Sequence, residues 1–290
     1  NRENVPGTVV LLFQPAEEGA ADVDDFDTHA VIGAKAMIRD GALDSPKVEA
    51  VFGVHVMSGY PSGHLYFKPG TALNSADDFR ITVNGKQTHG SAPWTGVDPI
   101  VASEKIIDGL QTLVSRRIDL TKGMGVISVG SINGGTATNI IPETVTLSGT
   151  IRTNSADIRD TILTKLPTLV SGIASAYEVK ADLEVMHYAP VTTNNPGLTE
   201  AMVPALELAA PGKVARLPAS LSPSEDFSLY AEKVPGLFVF LGATPEGQDM
   251  NQAAPNHSPY FTVDDATLAT GVKAHVQFVL NYAGRGAGKS

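Results

Sequence analysis

Along this 290-residue chain the spacing of apolar positions changes character twice. Thr8 to Phe13 is an unbroken apolar or β-branched run, the pattern of a strand covered on both faces in a parallel sheet. From His29 to Asp40, Val31, Ile32, Ala34, Met37 and Ile38 recur at helical spacing and stop at Gly41, which predicts an amphipathic helix. Val48 to Met57 predicts a second buried strand, and strand, helix, strand in that order is a βαβ unit.

Near Asn74 the spacing shifts to alternation. Phe79, Ile81 and Val83 alternate with polar neighbours, so one face of this strand meets water. A helix from about Asp98 to Ser115 follows, then strands at Val126–Ile132 and Thr144–Arg152, a helix from Ala156 to Tyr177 and a strand at Val179–Met186. The order β-α-β-β-α-β is that of a ferredoxin-like unit, inserted over residues 75–191.

The α/β texture then returns. Beyond the turn-rich TTNNPG of 192–197, Leu198–Ala209 reads as a helix, Phe227–Lys233 as a short helix and Leu237–Leu241 as a buried strand. A closing helix spans Thr262 to Tyr282, with Asp264 and Asp265 in its first turn and Gly284 beyond its end. No internal repeat stands out, and GRGAGKS at the end reads as a loose tail. The reading is an α/β domain in two parts, 1–74 and 192–290, interrupted by a smaller α+β domain.

Composition narrows the chemistry. A 42% hydrophobic, 18% charged chain is ordinary globular material. A net charge of -10 argues against nucleic acid, whose phosphates need a basic partner surface. The absence of cysteine removes disulfides and thiolate chemistry. No apolar run approaches the roughly 18–20 residues of a membrane span, so no membrane partner is expected. The opening NRENVPGT lacks the regions of a secretory leader and enters a core strand almost at once. So abrupt a start is read as the loss of something upstream, and the compartment is not legible.

Glu17 and Glu18 follow directly on the first strand, where open α/β sheets place ligands. Buried together they need a cation or a proton; the plainer alternative is an exposed acidic turn. His55 lies in the second apolar strand, where a hydrogen-bonded core histidine is the alternative to a ligand. His257 in PNHSP occupies a proline-bounded loop. Histidines and a glutamate together suit zinc-like metals. His89 follows the inserted unit's first strand, Asn139 sits in the glycine-rich GGTATN, and Arg152 ends a strand and can grip a carboxylate with two prongs. Their alternatives are a turn residue, a turn or cap, and a surface ion pair. His29, His64, His187 and His275 carry no motif, and the DVDDFD run lacks calcium-loop spacing. Ser224-Glu225-Asp226 reads as a helix N-terminus that also stands to wall the site.

FQPAEEG, GVHV, THGSAPW with GVDPI, GSI with GGTATNIIPE, GTIRT, SEDFSLYAEKVPG and APNHSP occur in this order. The set resembles the metal-dependent amidohydrolase and carboxypeptidase family, which includes aminoacylases, hippurate hydrolases and indole-acetyl-amino-acid hydrolases. The likeness runs from Gly7 to about Tyr282. It implies a mostly parallel metallopeptidase-like α/β catalytic domain with an inserted ferredoxin-like lid and dimerisation domain. It implies Glu17 as general base, Glu18, His55 and His257 as metal ligands, and His89 as an oxyanion contact reaching across a homodimer formed through 75–191. Asn139 and Arg152 would hold the free carboxylate of an N-acyl amino acid or small peptide whose amide bond is hydrolysed. The cofactor implied is a divalent metal, zinc foremost, with manganese, cobalt or nickel also suited.

Family members also carry an N-terminal segment with a further histidine and a bridging carboxylate or cysteine, motifs that do not occur here. The expectations are therefore an N-terminally truncated catalytic domain, an incomplete metal site and a sheet with an exposed edge. A truncated remnant that folds and dimerises without turnover is the alternative function. A non-enzymatic small-molecule binder using Asn139 and Arg152 is disfavoured, since a binder has no use for a base beside a ligand set.

Overall fold

The computed structural model describes Val5, residues 7–19, Phe26 and residues 31–286. His29 and most of the DVDDFD run lie outside the described residues.

Two hydrophobic assemblies organise the chain. The first is a mixed four-stranded sheet. β1 (Val51–Pro61) pairs in parallel with β12 (Gly236–Thr244), which pairs antiparallel with β2 (Leu65–Phe67), and β2 pairs in parallel with β11 (Val214–Arg216). All nine residues of β12 are buried, as the LFVFL run requires of a central strand covered on both faces. One face packs Leu237, Val239 and Leu241 against α4 (Pro196–Ala209) and α6 (Asp265–Gly286). The other packs Phe238 and Phe240 against α1 (Gly33–Arg39) and α5 (Phe227–Ala231). β3 (Gly70–Leu73) and β10 (Thr192–Asn194) form a separate antiparallel pair. Asn195 caps α4 by accepting from Leu198 N at 2.9 Å, with Pro196 in the first helical position.

The second assembly holds β4 (Ala76–Asn84), β6 (Gly125–Gly134), β8 (Thr144–Thr153) and β9 (Lys180–Ala189) in the spatial order β6-β8-β4-β9, antiparallel throughout. α2 (Pro99–Arg117) and α3 (Ala156–Ala176) bury their apolar stripes on one face: Phe79, Ile81, Ile106, Leu110, Leu147, Ile162 and Leu166 are all at 0% exposure. Asp98 caps α2 through Ile100 N at 2.8 Å. Ser75 and Thr153 join hydroxyls at 2.9 Å where the chain passes between the assemblies. Among the described residues no helix is long and apolar enough to cross a membrane.

Several expectations need correction. Thr8–Phe13 belongs to no strand among the described residues, and Leu11 and Phe13 are 70% and 85% exposed. The run has the composition of a covered strand but no ladder partner beside it among the described residues, and apolar character alone cannot make a ladder. α1 begins only at Gly33, whose φ of +56° turns the chain into the helix. β1 continues to Pro61, so His55 lies mid-strand opposite Phe240. α6 runs through Gly284 to Gly286 instead of stopping before it.

Candidate active site

The chain leaves its apolar run at Gln14, and that side chain is pinned. Its amide donates to both oxygens of Asp226 at 2.8 Å, and its carbonyl accepts from the Tyr230 hydroxyl at 2.8 Å. Asp226 also accepts from Ala34 N at 2.8 Å, so one carboxylate ties the approach to Glu17 to the start of α1. Gly33 is required for that closeness, because a Cβ there would stand 2.3 Å from Asp226 Oδ2. Burial raises the Asp226 carboxyl above its usual range, against the lowering effect of the Ala34 and Gln14 hydrogen bonds. Burial likewise pushes Tyr230 up to about 12.

Glu17 stands beyond this clamp. One carboxylate oxygen from each of Glu17, Glu225 and Asp226 lies within 4.8 Å of the others, the one grouping of three such donors at that distance among the described residues. Glu225 is buried at 8% exposure. Burial first, then the hydrogen bond and charge of Glu17, push its carboxyl up to about 9, against the Phe227 N–H. A proton or a cation is what lets these carboxylates share one pocket.

Glu18 lies 3.7 Å from His257 Nδ1, with both side chains largely exposed. His257 adopts φ +68° in its loop. Asn256 fixes that loop to β1: its amide donates to Val56 O at 2.9 Å and its carbonyl accepts from Ser58 N at 3.0 Å. His55 Nδ1 is buried and has no hydrogen-bond partner. His55 lines one cavity with Glu17 and Glu225, and an imidazole nitrogen with nothing to bond near carboxylates suits a divalent metal. His55 does not, however, gather within 4.8 Å of both Glu18 and His257.

The second assembly presents two further groups. His89 is exposed at the end of β5 (Thr88–His89), which pairs with β7 (Ile140–Ile141), and Gly90 N donates to Asn139 O at 2.8 Å. His89 and Asn139 are thus neighbours. Ser91 N donates to His89 Nδ1 at 3.1 Å, which leaves Nε2 to carry the proton in the neutral ring. Arg152 lies elsewhere, donating to Thr150 Oγ1 at 3.0 Å and to Ser224 Oγ at 3.1 Å. Its contact with Ser224, next to Glu225, brings the second assembly against the carboxylate pocket.

Nothing in the sequence singles out Gln14 or Asn256, and Glu225 and Asp226 look there like a helix start or a site wall. The usable signal was the pair of acids directly before the apolar FSLY of α5, since α5 receives no side-chain cap from Asp226. His187, which carried no motif, bonds Asp77 at 2.6 Å together with Arg159. His64 and His275 bond backbone carbonyls of Ser62 and Gly271.

The pattern described as Peptidase family M20/M25/M40 matches residues 1–281. The chain is 34% identical over 286 residues to thermostable carboxypeptidase 2 of Saccharolobus solfataricus, covering 98% of this chain and 68% of that protein. It is 35% identical over 268 residues to N-acetylcysteine deacetylase of Bacillus subtilis, covering 92% and 64%. A dinuclear metal-binding peptidase from Bacillus subtilis superposes with TM-score 0.67 at 30% identity, over 93% of this chain and 63% of that one. The chain therefore spans about two thirds of the length of these relatives.

Proposed function

This chain belongs to peptidase family M20/M25/M40, and from that premise we propose that it hydrolyses the amide bond of N-acyl amino acids or small peptides bearing a free carboxylate. The observation that carries the reading is the pocket at the end of the 8–14 run. There Glu17 stands against buried Glu225, in a cavity that His55, with its unpartnered Nδ1, also lines. The names of the relatives, a carboxypeptidase and an N-acetylcysteine deacetylase, support the substrate class.

Glu18, His55 and His257 would hold the metal, zinc or one of manganese, cobalt and nickel. When bound, such an ion polarises a carbonyl and lowers the pKa of water to about 7. Glu17 takes the water proton and passes it to the leaving amine, a role worth about 10²–10⁴ in rate. Glu225 braces Glu17 from its buried side. Arg152 grips the substrate carboxylate, with Ser224 fixing the guanidinium. His89 donates from Nε2 to the developing oxyanion. Asn139, its neighbour, acts wherever His89 acts, which in a homodimer formed through residues 75–191 is the partner's site.

The test is turnover of a panel of N-acetyl and N-benzoyl amino acids with zinc, manganese or cobalt, beside calorimetric titration of the metal. Hydrolysis that falls at least about 10²-fold in Glu17→Gln while metal affinity holds supports the assignment. A folded, metal-loaded chain that leaves every amide intact refutes it.

A further inference from the structure

The loop that carries His89 is closed at its neck and braced inside. Lys86 N donates to Val97 O at 2.9 Å and Val97 N donates to Lys86 O at 3.0 Å, so residues 86 and 97 clasp the loop. Within it, Ala92 O accepts from Thr95 Oγ1 at 2.8 Å and from Thr88 Oγ1 at 3.3 Å. Gly96 lets the two sides meet, since a Cβ there would stand 2.4 Å from Lys86 O. The tip is a single 3₁₀ turn, Pro93–Thr95, whose first residue has its φ fixed by the pyrrolidine ring.

That turn holds out Trp94, the one tryptophan of the chain, at 80% exposure. Tryptophan is highly buried on average, so this exposure marks a side chain displayed for contact. A large ring on a braced loop has given up much of its freedom beforehand, and meeting a ligand costs it little further entropy. The surroundings narrow what that ligand is. His89 and Ile140 are ladder partners, so their side chains share a face, and Ile140 is 41% exposed. Residues 85–97 carry Lys86 and His89 but no carboxylate, and residues 125–142 carry no charged side chain, in a chain of net charge -10. An indole, an imidazole and acid-free loops suit a ligand that joins a flat apolar group to an anion.

We propose that Trp94 is a specificity-determining residue, whose indole stacks on an aromatic N-acyl group of the substrate while His89, on the same loop, contacts the amide. The inference rests on the hydrolytic reading and names the acyl group that it takes. In a homodimer formed through residues 75–191, Trp94 then acts, like His89, at the partner's site. Offset or edge-to-face contact between two aromatic rings contributes beyond the area it buries, and a small acyl group such as acetyl cannot make it.

The test uses the indole itself: with a single tryptophan in the chain, selectively excited tryptophan emission reports Trp94 alone. N-benzoyl-alanine and N-acetyl-alanine are titrated onto the zinc-loaded chain, with N-acetyltryptophanamide as the free-indole control, and steady-state kinetics are measured on both. The expected result is a saturable emission change with the benzoyl compound only. In Trp94→Ala, KM for N-benzoyl-alanine rises about tenfold, kcat and the N-acetyl reaction stay within about twofold, and Trp94→Phe recovers most of the loss. Three results overturn the proposal. In one, emission is indifferent to the benzoyl compound. In another, Trp94→Ala loses equally on both substrates. In the third, emission follows protein concentration and not ligand, because the indole then lies between two copies. If neither amide is cleaved, the hydrolytic reading fails by itself; a benzoyl-specific emission change then supports the stacking contact, and its absence overturns it.

Discussion

Asp77 offers the sharpest stability test. It sits at the start of β4 with its side chain at 0% exposure, and the Arg159 side chain is 16% exposed. Arg159 Nε and Nη2 donate to its two oxygens at 2.7 and 2.6 Å, and His187 Nδ1 lies 2.6 Å from Oδ1. The Asp77 hydrogen bond is the main reason the guanidinium is held above its ordinary pKa. Asp77→Asn keeps the volume but leaves a single acceptor oxygen and sets an amide N–H₂ against a guanidinium N–H. The guanidinium then lies largely buried without its counter-charge, a situation that costs roughly 3–5 kcal/mol. Glu232 supplies a second anion nearby, which places the expected loss near the lower end, about 3 kcal/mol. With an m-value of about 1.5 kcal/mol/M, the urea midpoint of the β4–β9 assembly falls by about 2 M. Circular dichroism and exchange of the Phe79–Val83 amides report it. Replacing both partners (Asp77→Leu with Arg159→Met) should recover most of the loss. A single Asp77→Asn variant within about 0.5 kcal/mol of the parent refutes the reasoning.

Three further outcomes follow from the carboxylate pocket. Glu225 holds its proton up to about pH 9 when folded but releases it near 4.3 when unfolded, so between those values the folded chain binds more protons. Metal-free stability is therefore greatest below about pH 4.3 as far as this group is concerned. It falls as pH rises towards 9, by at most about 1.4 kcal/mol per pH unit. Glu225→Gln flattens that slope in urea titrations at pH 5, 7 and 9, and an unchanged slope counts against it. Gly33→Ala forces a Cβ against Asp226 Oδ2 at φ +56° and lowers stability by about 2–3 kcal/mol, with faster exchange at the Ala34 amide; a neutral effect would show that the clamp is loose. Ser224→Ala frees Arg152 and raises KM for a carboxylate substrate about 3–10-fold with kcat little changed, while Ser224→Thr restores it; equal loss on the substrate's primary amide would point to folding instead.

Much of the architecture was legible because burial imposes a period. Phe79, Ile81 and Val83 alternate in the sequence and all reach 0% exposure, and LFVFL reads as a central strand because β12 is one. The limit of that signal shows at Thr8–Phe13, equally apolar yet unpaired. Hydrophobicity records what a segment would bury, and says nothing of whether a neighbour is present to bury it. β2, β3, β10 and β11 are three or four residues long, too short for any period. At the site, Glu17, Glu18 and His55 stood out by their strand context. Glu225 did not, because an acid before a short helix looks like a cap until its burial is known. Asn256 was hidden by its neighbour His257, although it is the amide that ties the loop to β1.

The two crossings between the assemblies lie side by side. Ala76 and Ala189 are ladder partners, and just outside them β3 and β10 pair Leu73 with Thr192. Topologically, then, everything from 76 to 189 occupies the position of the loop in an antiparallel hairpin. Such a segment can be excised with its ends adjacent, and the remainder closed by a turn of a few residues. Its sequence is also free to diverge or be exchanged whole without disturbing the register of the sheet that carries His55. Specificity and chemistry would then be inherited as separate parts, joined at a hairpin neck.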